Sequence, residues 1–363
     1  MKFGFYSGIS GTGSVLALAY KTFKDNSIGE KAKSALEEIV DELSTRAKQE
    51  NGGITWAKSI TTLTDGGILL FLTSLYEILP SEKVKNLIEK SAVWYLSQGK
   101  ISGNGGLEFS DYESVKLSEP EFKGKNVSQP NFELGSAGAG FVLARIYQVL
   151  KDEKYLEAAK KVAVYLDSIK IPQEKGFLLP YRVGENQDVF FYLGNCHGAA
   201  GSGKFYFILY EITKDKKYLD CLSALFDGLE SLGAPEKMSK GYWNNVSVCC
   251  GAAGILNTAA GIYASTGEER WKNLAERNAE ILLGNQNYPA FKSGQNSSES
   301  ESEKENHGRG WTIAYRRIAP SEFSHTIFYN DGDAGIAAAL VQLYEIEKGG
   351  SNKNRLPDDP FKK

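Results

Sequence analysis

The sequence predicts an all-α fold in which helical hairpins close into an α/α toroid, and its internal repeats are the main evidence. A glycine-rich motif recurs six times, and each copy opens an apolar stretch that ends in tyrosine. A repeat of this length is typical of folds built from one stacked supersecondary unit. The six copies are GISGTGSVLALAY (8–20), TDGGILLFLTSLY (64–76), GSAGAGFVLARIY (135–147), GAAGSGKFYFILY (198–210), GAAGILNTAAGIY (251–263) and GDAGIAAALVQLY (332–344).

A second helix follows the motif, and its pattern differs from that of the first. The second stretches are clearest at 151–169, 214–232 and 265–283, where apolar residues recur at three- and four-residue spacing. That spacing defines one buried stripe on an amphipathic helix. The motif helices are instead apolar on nearly every side. This asymmetry predicts an inner ring of buried helices surrounded by an outer ring of amphipathic ones.

The repeats leave no domain boundary, so the sequence predicts one toroid domain over residues 1–363. Two segments stand apart from the repeats. Residues 101–131 contain prolines, glycines and mixed charge, which predicts a long loop or small insertion over the mouth of the toroid. Residues 293–308 are acidic and poor in apolar residues, which predicts a mobile segment.

Composition excludes several classes of partner. The 42 basic and 45 acidic residues leave a net charge of -3, which provides no broad field to collect nucleic acid or anionic membrane. The first residues, MKFGFYSGISGTGS, lack the apolar core of a signal peptide, and no stretch approaches 18 consecutive apolar residues. We therefore expect a cytoplasmic protein without an integral membrane segment.

Three of the four cysteines stand at related places in the repeat. Cys196 lies two residues before Gly198, Cys249 lies two residues before Gly251, and Cys250 is adjacent to that second glycine. Equivalent positions on consecutive hairpins of a ring converge at one end of its axis. Three thiolates with an open fourth position are typical of a catalytic zinc site. The alternative is that these are small buried residues that pack at tight helix starts.

The remaining cysteine and the histidines have separate interpretations. Cys221 falls on a predicted outer helix, where packing explains it. His197 follows Cys196 directly and is a candidate for proton transfer or for a structural role. His325 precedes the last motif copy and is a second candidate at the mouth. His307 borders the acidic segment, where we expect it to be exposed.

The motifs NCHGAAG (195–201) and VCCGAAG (248–254), on this repeat background, resemble the lanthionine synthetase C-like (LanC) cyclase family over essentially the whole chain. The resemblance implies an α/α toroid with about seven inner and seven outer helices. It also implies zinc, Zn(2+), bound through a Trp-Cys-x-Gly motif and a Cys-His-Gly motif. Cys196 and Cys249 match the two cysteine ligands, and Cys250 replaces the usual histidine. The resemblance therefore implies a Cys-Cys-Gly variant with three thiolates.

The chain departs from the family pattern at other positions. Asn195 replaces the tryptophan of the first motif, and Leu134 stands where cyclases carry a histidine before an earlier motif glycine. Ile60 aligns with a family aspartate, although Asp65 is close by. Two acid/base residues of the family are missing in this alignment. The sequence supports zinc binding more directly than the full cyclase mechanism.

The resemblance implies that the protein adds a peptide cysteine thiol to dehydroalanine or dehydrobutyrine and so forms a thioether ring in a ribosomal peptide. His197, and secondly His325, would protonate the enolate that this addition generates. Arg316 or Arg317 would hold the enolate oxygen or a peptide carboxylate. The partner would be a dehydrated precursor peptide. No segment resembles a fused dehydratase, so a separate dehydratase would supply it.

Three alternative functions remain open at this point. The protein would add glutathione or another small thiol to dehydroamino acids, or serve as a catalytically inactive peptide-binding scaffold. A carbohydrate-active toroid is the third alternative, and it needs paired carboxylates at the cavity mouth. Asp331, Asp333 and Glu133 are the candidates for that pair.

Overall fold

The protein, described by a computed structural model, is an all-α toroid of helical hairpins, as the repeats predict. Short two-stranded sheets are the only strand structure among the residues that the structure describes. The described residues are 3–6, 8–110, 127–184, 191–237, 242–243, 245–286, 310–316, 319–350 and 356–361.

Helices alternate between the two rings along the chain. The inner helices are α1 (Ile9–Phe23), α3 (Asp65–Ile78), α5 (Ser136–Leu150), α7 (Ala199–Thr213), α9 (Ala252–Thr266) and α11 (Asp333–Glu347). The outer helices are α2 (Ser27–Arg46), α4 (Glu82–Ser97), α6 (Glu153–Ile169), α8 (Lys216–Ser231) and α10 (Glu269–Gly284). Each inner helix packs against the next inner helix, and the first five also pack against the outer helix that follows them. The described ranges thus hold six inner and five outer helices, against about seven of each implied by the family resemblance.

The two rings differ in burial as the apolar patterns predict. The middle inner helices are buried on all sides, and α7 has no exposed residue from Ala199 to Leu209. Outer helix α6 instead buries one stripe that includes Tyr155, Val162 and Leu166. Each Å² of apolar surface that is buried contributes about 25 cal/mol to the free energy of folding. The inner ring therefore forms the centre of one continuous core.

The turn between an inner and an outer helix is the same in three consecutive repeats. Its first residue has a left-handed backbone, with φ of 58° at Lys151, 56° at Lys214 and 74° at Gly267. The N–H of each donates to the carbonyl of the motif tyrosine four residues earlier. Asp152 and Asp215 then accept backbone N–H groups at the N-termini of α6 and α8. Local capping therefore encodes each hairpin turn.

Short strands connect each outer helix to the next inner helix. Four pairs are antiparallel and one, β7 with β8, is parallel. The strands are β1 (Lys48–Glu50), β2 (Gly53–Thr55), β3 (Lys100–Ile101), β4 (Leu107–Glu108), β5 (Ile171–Pro172), β6 (Phe177–Leu178), β7 (Phe191–Tyr192), β8 (Tyr242–Trp243), β9 (Ile313–Arg316) and β10 (Ala319–Ser324). The sequence analysis did not predict these strands because most have only two or three residues.

The first residue of α3 holds the preceding β1–β2 connection in place. The Asp65 carboxylate is 1% exposed and accepts four hydrogen bonds. The donors are the Thr55 hydroxyl at 2.8 Å and the backbone N–H groups of Trp56 at 2.7 Å, Ala57 at 3.0 Å and Ser59 at 3.2 Å. Burial raises the pKa of Asp65, and these hydrogen bonds oppose that rise. The contacts assign Asp65 a structural role.

The same arrangement recurs at the start of α11. Asp333 accepts the backbone N–H of Trp311 at 2.9 Å, as Asp65 accepts that of Trp56. The Trp311 indole N–H donates to a carbonyl near the end of α10 at 2.6 Å. The Trp56 indole N–H makes the equivalent bond to the end of α2 at 2.8 Å. Two repeats thus use one device to join the outer helix, the connection and the next inner helix.

The C-terminal segment 356–361 is buried inside the toroid. The Asp358 carboxylate accepts hydrogen bonds from the Lys204 ammonium at 3.0 Å and from the Tyr6 hydroxyl at 3.1 Å. Phe361 is 1% exposed and packs against α7 and α9. The segment therefore connects the two ends of the chain to the inner ring. The sequence analysis attached no role to it.

Two segments that the sequence analysis set apart have different outcomes. Within 101–131, the β3–β4 hairpin occupies the start and residues 127–131 are buried, while 111–126 lie outside the described residues. Both described ends of this segment therefore belong to the fold. The acidic segment 293–308 lies outside the described residues. None of the helices in the described ranges has the length and apolar composition needed to cross a bilayer.

Replacement of Asp65 tests its structural role. We expect Asp65→Ala to lower the free energy of unfolding by about 3 kcal/mol, because several buried donors lose their acceptor. Urea unfolding followed by circular dichroism measures the change. Asp220→Ala, at an exposed position of α8, is the control and should have little effect. Equal stabilities of the two variants would contradict the assignment.

The buried Lys204–Asp358 pair calls for a double-mutant cycle. We expect Lys204→Met and Asp358→Asn each to destabilise the fold by about 3 kcal/mol, because each leaves a buried partner unpaired. The double variant should lose much less stability than the sum of the losses in the two single variants. The exposed pair Lys83–Asp41 is the control, with a coupling of less than about 1 kcal/mol. Additive effects at the buried pair would show that the C-terminal segment is not held by this contact.

Candidate metal centre and substrate cleft

One position of the motif joins five repeats through backbone hydrogen bonds. It is the residue two before the N-cap of each inner helix, and its N–H donates to the carbonyl of the same position in the next repeat. The bonds run from Thr62 to Glu133 at 3.0 Å, Glu133 to Cys196 at 2.8 Å, Cys196 to Cys249 at 3.0 Å and Cys249 to Asn330 at 2.9 Å. We call these residues the motif ring. The arrangement brings equivalent residues together at one end of the toroid.

The first repeat contributes to the same end through its side chain. Tyr6 lies two residues before the N-cap of α1, and its hydroxyl accepts a hydrogen bond from the Asn195 amide at 3.2 Å. Burial and the neighbouring Asp358 carboxylate raise the pKa of Tyr6 well above its usual range. Tyr6 therefore remains a neutral phenol at physiological pH.

The three motif cysteines converge as their positions in the repeat predict. Cys196 precedes α7, and Cys249 and Cys250 precede α9. The Cys250 sulfur lies 3.5 Å from the Cys196 sulfur and 3.3 Å from the Cys249 sulfur. Gly194 permits this approach, because a Cβ there would lie 2.4 Å from the Cys249 carbonyl oxygen. We call Cys196, Cys249 and Cys250 the thiol triad.

The triad fits a zinc ion by geometry and by donor type. Tetrahedral zinc with Zn–S bonds of about 2.3 Å holds its sulfur ligands roughly 3.8 Å apart. All three sulfurs lie within 4.8 Å of one another, close to that spacing. Burial raises the pKa of the Cys196 thiol well above its usual range, so a bound cation is needed to stabilise the thiolate. Thiolates are ligands that zinc favours.

His197 lies beside the triad in an aromatic environment. Its ring is 8% exposed and makes edge contacts with Tyr181, at 4.9 Å between centroids, and Tyr192, at 5.5 Å. Burial, with a smaller effect of the Arg182 cation, lowers the pKa of His197 to about 3. Its Nδ1 atom has no hydrogen-bond partner among the described residues. The imidazole is therefore neutral at physiological pH.

Glu133 brings a carboxyl group to the same place. It is 7% exposed, and a carboxylate oxygen lies within 4.8 Å of the Cys196 sulfur and of an imidazole nitrogen of His197. Burial, and then the negative charge of Asp331, raise the pKa of Glu133 to about 8. The Asn330 amide donates to Glu133 over a long 3.4 Å. Glu133, Cys196 and His197 form a second group with the ligand types of a metal site.

The other residues that the sequence analysis selected lie in different surroundings. His325 forms a 2.6 Å contact with Asp333 and belongs to neither of the two possible metal-ligand groups found among the described residues. Arg316 ends β9, and its side chain lies outside the described part of the structure, as does all of Arg317. Leu134 is buried.

The remaining family positions and the fourth cysteine have structural surroundings. Ile60 is buried, and its carbonyl accepts the Tyr95 hydroxyl at 2.6 Å. Cys221 packs against the core from α8. Asp331 lines the cleft described below, whereas Asp333 is engaged with His325 and Trp311. The two aspartates that flank Gly332 thus have separate environments.

A cleft of about 740 Å³ leads to this end of the toroid. Its lining residues come from the N-terminal segment, from α1 and from the segment before α11. Glu133, Cys249 and Asp331 also line it. The apolar and aromatic lining residues are Phe5, Tyr6, Val15, Leu63, Phe328, Tyr329 and Leu356. Cys249 is therefore the member of the thiol triad that lines this predominantly apolar cleft.

The sequence analysis missed part of this site. It named Glu133 only as a carbohydrate-type carboxylate and gave Tyr6 no role. The missing signal was the repeat position itself, because Tyr6, Glu133, Cys196 and Cys249 all lie two residues before an inner-helix N-cap. An alignment of all six motif copies at that position would have selected both residues.

Comparisons with known proteins agree with this fold. Residues 135–304 match the family of lanthionine synthetase C-like proteins. The solved structure of nisin cyclase is similar with a TM-score of 0.58 and 17% identity, over 79% of this chain and 72% of that one. The GH76A α-1,6-mannanase from Salegentibacter sp. HEL1_6 is similar with a TM-score of 0.52 and 17% identity, over 93% of this chain and 88% of that one.

At these identities the two structural likenesses establish the shared toroid fold alone. The family match covers the part of the chain that carries the thiol triad, and it begins two residues after Glu133. The sequence match over residues 135–304 and the toroid fold together show that this chain is similar to lanthionine synthetase C-like proteins.

Proposed function

We propose that the protein is a zinc-dependent lanthionine cyclase that acts on a dehydrated peptide. The observation that carries this proposal is the thiol triad, whose three sulfurs lie within 4.8 Å of one another beside an open cleft. Three protein ligands with space for a fourth are typical of catalytic zinc. The match of residues 135–304 to lanthionine synthetase C-like proteins and the fold shared with nisin cyclase support the choice of reaction.

Cys196, Cys249 and Cys250 would hold the zinc ion. When bound there, zinc supplies positive charge that stabilises the thiolate form of a substrate cysteine at the open position. The three protein thiolates add more negative charge than a site with a histidine ligand would. That charge leaves a bound substrate thiolate more nucleophilic.

Glu133 is our candidate for the proton transfers. Addition of a thiol to a dehydroamino acid forms a carbon–sulfur bond, and the thiol proton must finally reach the α-carbon of the product. A carboxyl group with a pKa near 8 can accept a proton and return it at neutral pH. Glu133 adjoins Leu134, the position of the missing family histidine. We propose that the Glu133 carboxyl receives the thiol proton and delivers it to the enolate carbon.

The neutral imidazole of His197 has a different proposed role from a proton-donating acid. Its edge contacts with Tyr181 and Tyr192 fix the ring next to Cys196, the preceding residue of the same loop. A neutral imidazole is a much weaker acid than an imidazolium. We therefore propose that His197 orients the triad and excludes water, while Glu133 moves the proton. Arg316 and His325 remain candidates for contacts with the peptide.

The metal content of the purified protein tests the zinc site. We expect about one zinc per chain in the wild type and its loss in Cys196→Ser and Cys249→Ser, because two thiolates cannot complete the site. Elemental analysis measures zinc, and circular dichroism checks that the fold is retained. Cys221→Ser is the matched control and should keep its zinc. A folded wild-type protein that is free of metal when purified without chelators would contradict the zinc proposal.

The role of Glu133 can be measured with a test peptide that contains one dehydroalanine and one cysteine. We expect Glu133→Gln to slow cyclisation by about 10²- to 10⁴-fold, because the amide cannot carry the proton. Loss of the alkylatable thiol, followed by mass spectrometry, reports ring formation. Zinc content should stay unchanged.

Two further variants make the Glu133 test specific. Glu133→Asp keeps a carboxyl group and should retain part of the activity, whereas Glu280→Gln, at an exposed position of α10, should behave as wild type. A Glu133→Gln rate equal to that of the wild type would assign the proton to another group.

A further inference from the structure

The cleft is lined by apolar side chains that are largely exposed to solvent. Val15 on α1 is 60% exposed, and Phe328, between β10 and α11, is 69% exposed. Both line the cleft that leads to the thiol triad. Exposed apolar residues that line one cleft are typical of a binding surface.

The cleft also carries acidic groups. Glu133 and Asp331 line it, and none of the described lining residues is a lysine or an arginine. Lys204, a buried lysine whose charge acts on Glu133, is paired with the Asp358 carboxylate. A further negative charge brought into the cleft would meet the Asp331 carboxylate, and no lysine or arginine among the described lining residues would offset that repulsion.

The triad adds to this electrostatic preference. A zinc ion bound by three thiolates has a net negative charge, whereas two thiolates and a neutral histidine would leave it uncharged. An anionic small thiol such as glutathione, with its two carboxylates, is therefore poorly matched to this cleft. A thiol within a peptide has no terminal carboxylate nearby and can place neutral side chains against the walls.

We propose, on the basis of the proposed function, that the cleft selects peptide cysteines flanked by apolar residues and excludes anionic thiols. Val15 and Phe328 contact the apolar residue beside the reacting cysteine. Asp331 disfavours an acidic residue at that place. The proposed occupant is therefore a peptide segment with apolar residues beside its cysteine and no acidic residue there. Those flanking residues determine which cysteine enters the cleft.

Binding to the zinc-loaded protein tests this selectivity without relying on turnover. The probes are two capped pentapeptides with a central cysteine, one flanked by leucines and one by glutamates, and glutathione itself. Isothermal titration calorimetry measures the affinities. We expect the leucine peptide to bind at least about tenfold more tightly than the other two, which corresponds to about 1.4 kcal/mol. Equal or reversed affinities would overturn the proposal.

Variants assign the selectivity to the named residues. Phe328→Ser and Val15→Ser should each lower the affinity for the leucine-flanked peptide about fivefold, because apolar contact is lost. Ile101→Ser and Val164→Ser replace exposed apolar residues on β3 and α6 and are the matched controls, with no effect expected. Asp331→Asn should reduce the difference in affinity between the leucine-flanked and the glutamate-flanked peptide. The zinc content should stay unchanged. If these variants match their controls, the cleft walls do not select the peptide.

A serine series separates this proposal from the zinc proposal. The same pentapeptides with serine in place of cysteine cannot provide a thiolate to a metal. Preference for leucine flanks that persists in this series supports recognition by the cleft walls, even if the protein proves to be free of zinc. Loss of the preference in a protein that binds zinc and forms rings would overturn the cleft proposal alone.

Discussion

The motif ring is the constraint on which the rest of the site depends. Backbone hydrogen bonds connect Thr62, Glu133, Cys196, Cys249 and Asn330 in order, although these residues are far apart along the chain. Main-chain bonds are insensitive to side-chain identity, so the same framework can carry a different side chain in each repeat. The framework also fixes where those side chains meet, because each bond joins equivalent positions of neighbouring hairpins. A repeated backbone device thus becomes a site with several different functional groups.

Burial then determines the chemistry of the groups that the ring collects. The same loss of solvent raises the pKa of the Cys196 thiol, raises that of Glu133 to about 8 and lowers that of His197 to about 3. Each shift favours the neutral form, as desolvation requires. A divalent cation at the triad would offset the cost of three thiolates. The thiol triad could therefore hold a metal ion, and Glu133 places a carboxyl group beside it.

The shared toroid explains why the structural neighbours include proteins of unrelated function. The resemblance to nisin cyclase and to a mannanase comes from stacked helical hairpins, which bury their apolar faces in the same way. In this chain the motif ring carries thiols at two positions and a carboxylate at a third. Glu133 and Asp331 also bring two carboxyl groups to the cleft, so the feature that sets this chain apart from a carbohydrate-active toroid is the cluster of three thiols. The side chains on a common framework, more than the framework itself, distinguish these functions.

The sequence by itself determined the repeats, the two kinds of helix and the shared position of Cys196 and Cys249. These features are local, because periodicity, capping and motif spacing are visible within one repeat. Only the tertiary structure decided that Glu133 reaches the Cys196 sulfur, that Asp65 holds a chain turn, and that Asp358 pairs with a lysine inside the toroid. Each of those facts depends on contacts between distant segments and on desolvation. The order of residues in a single repeat reveals neither the contacts nor the desolvation.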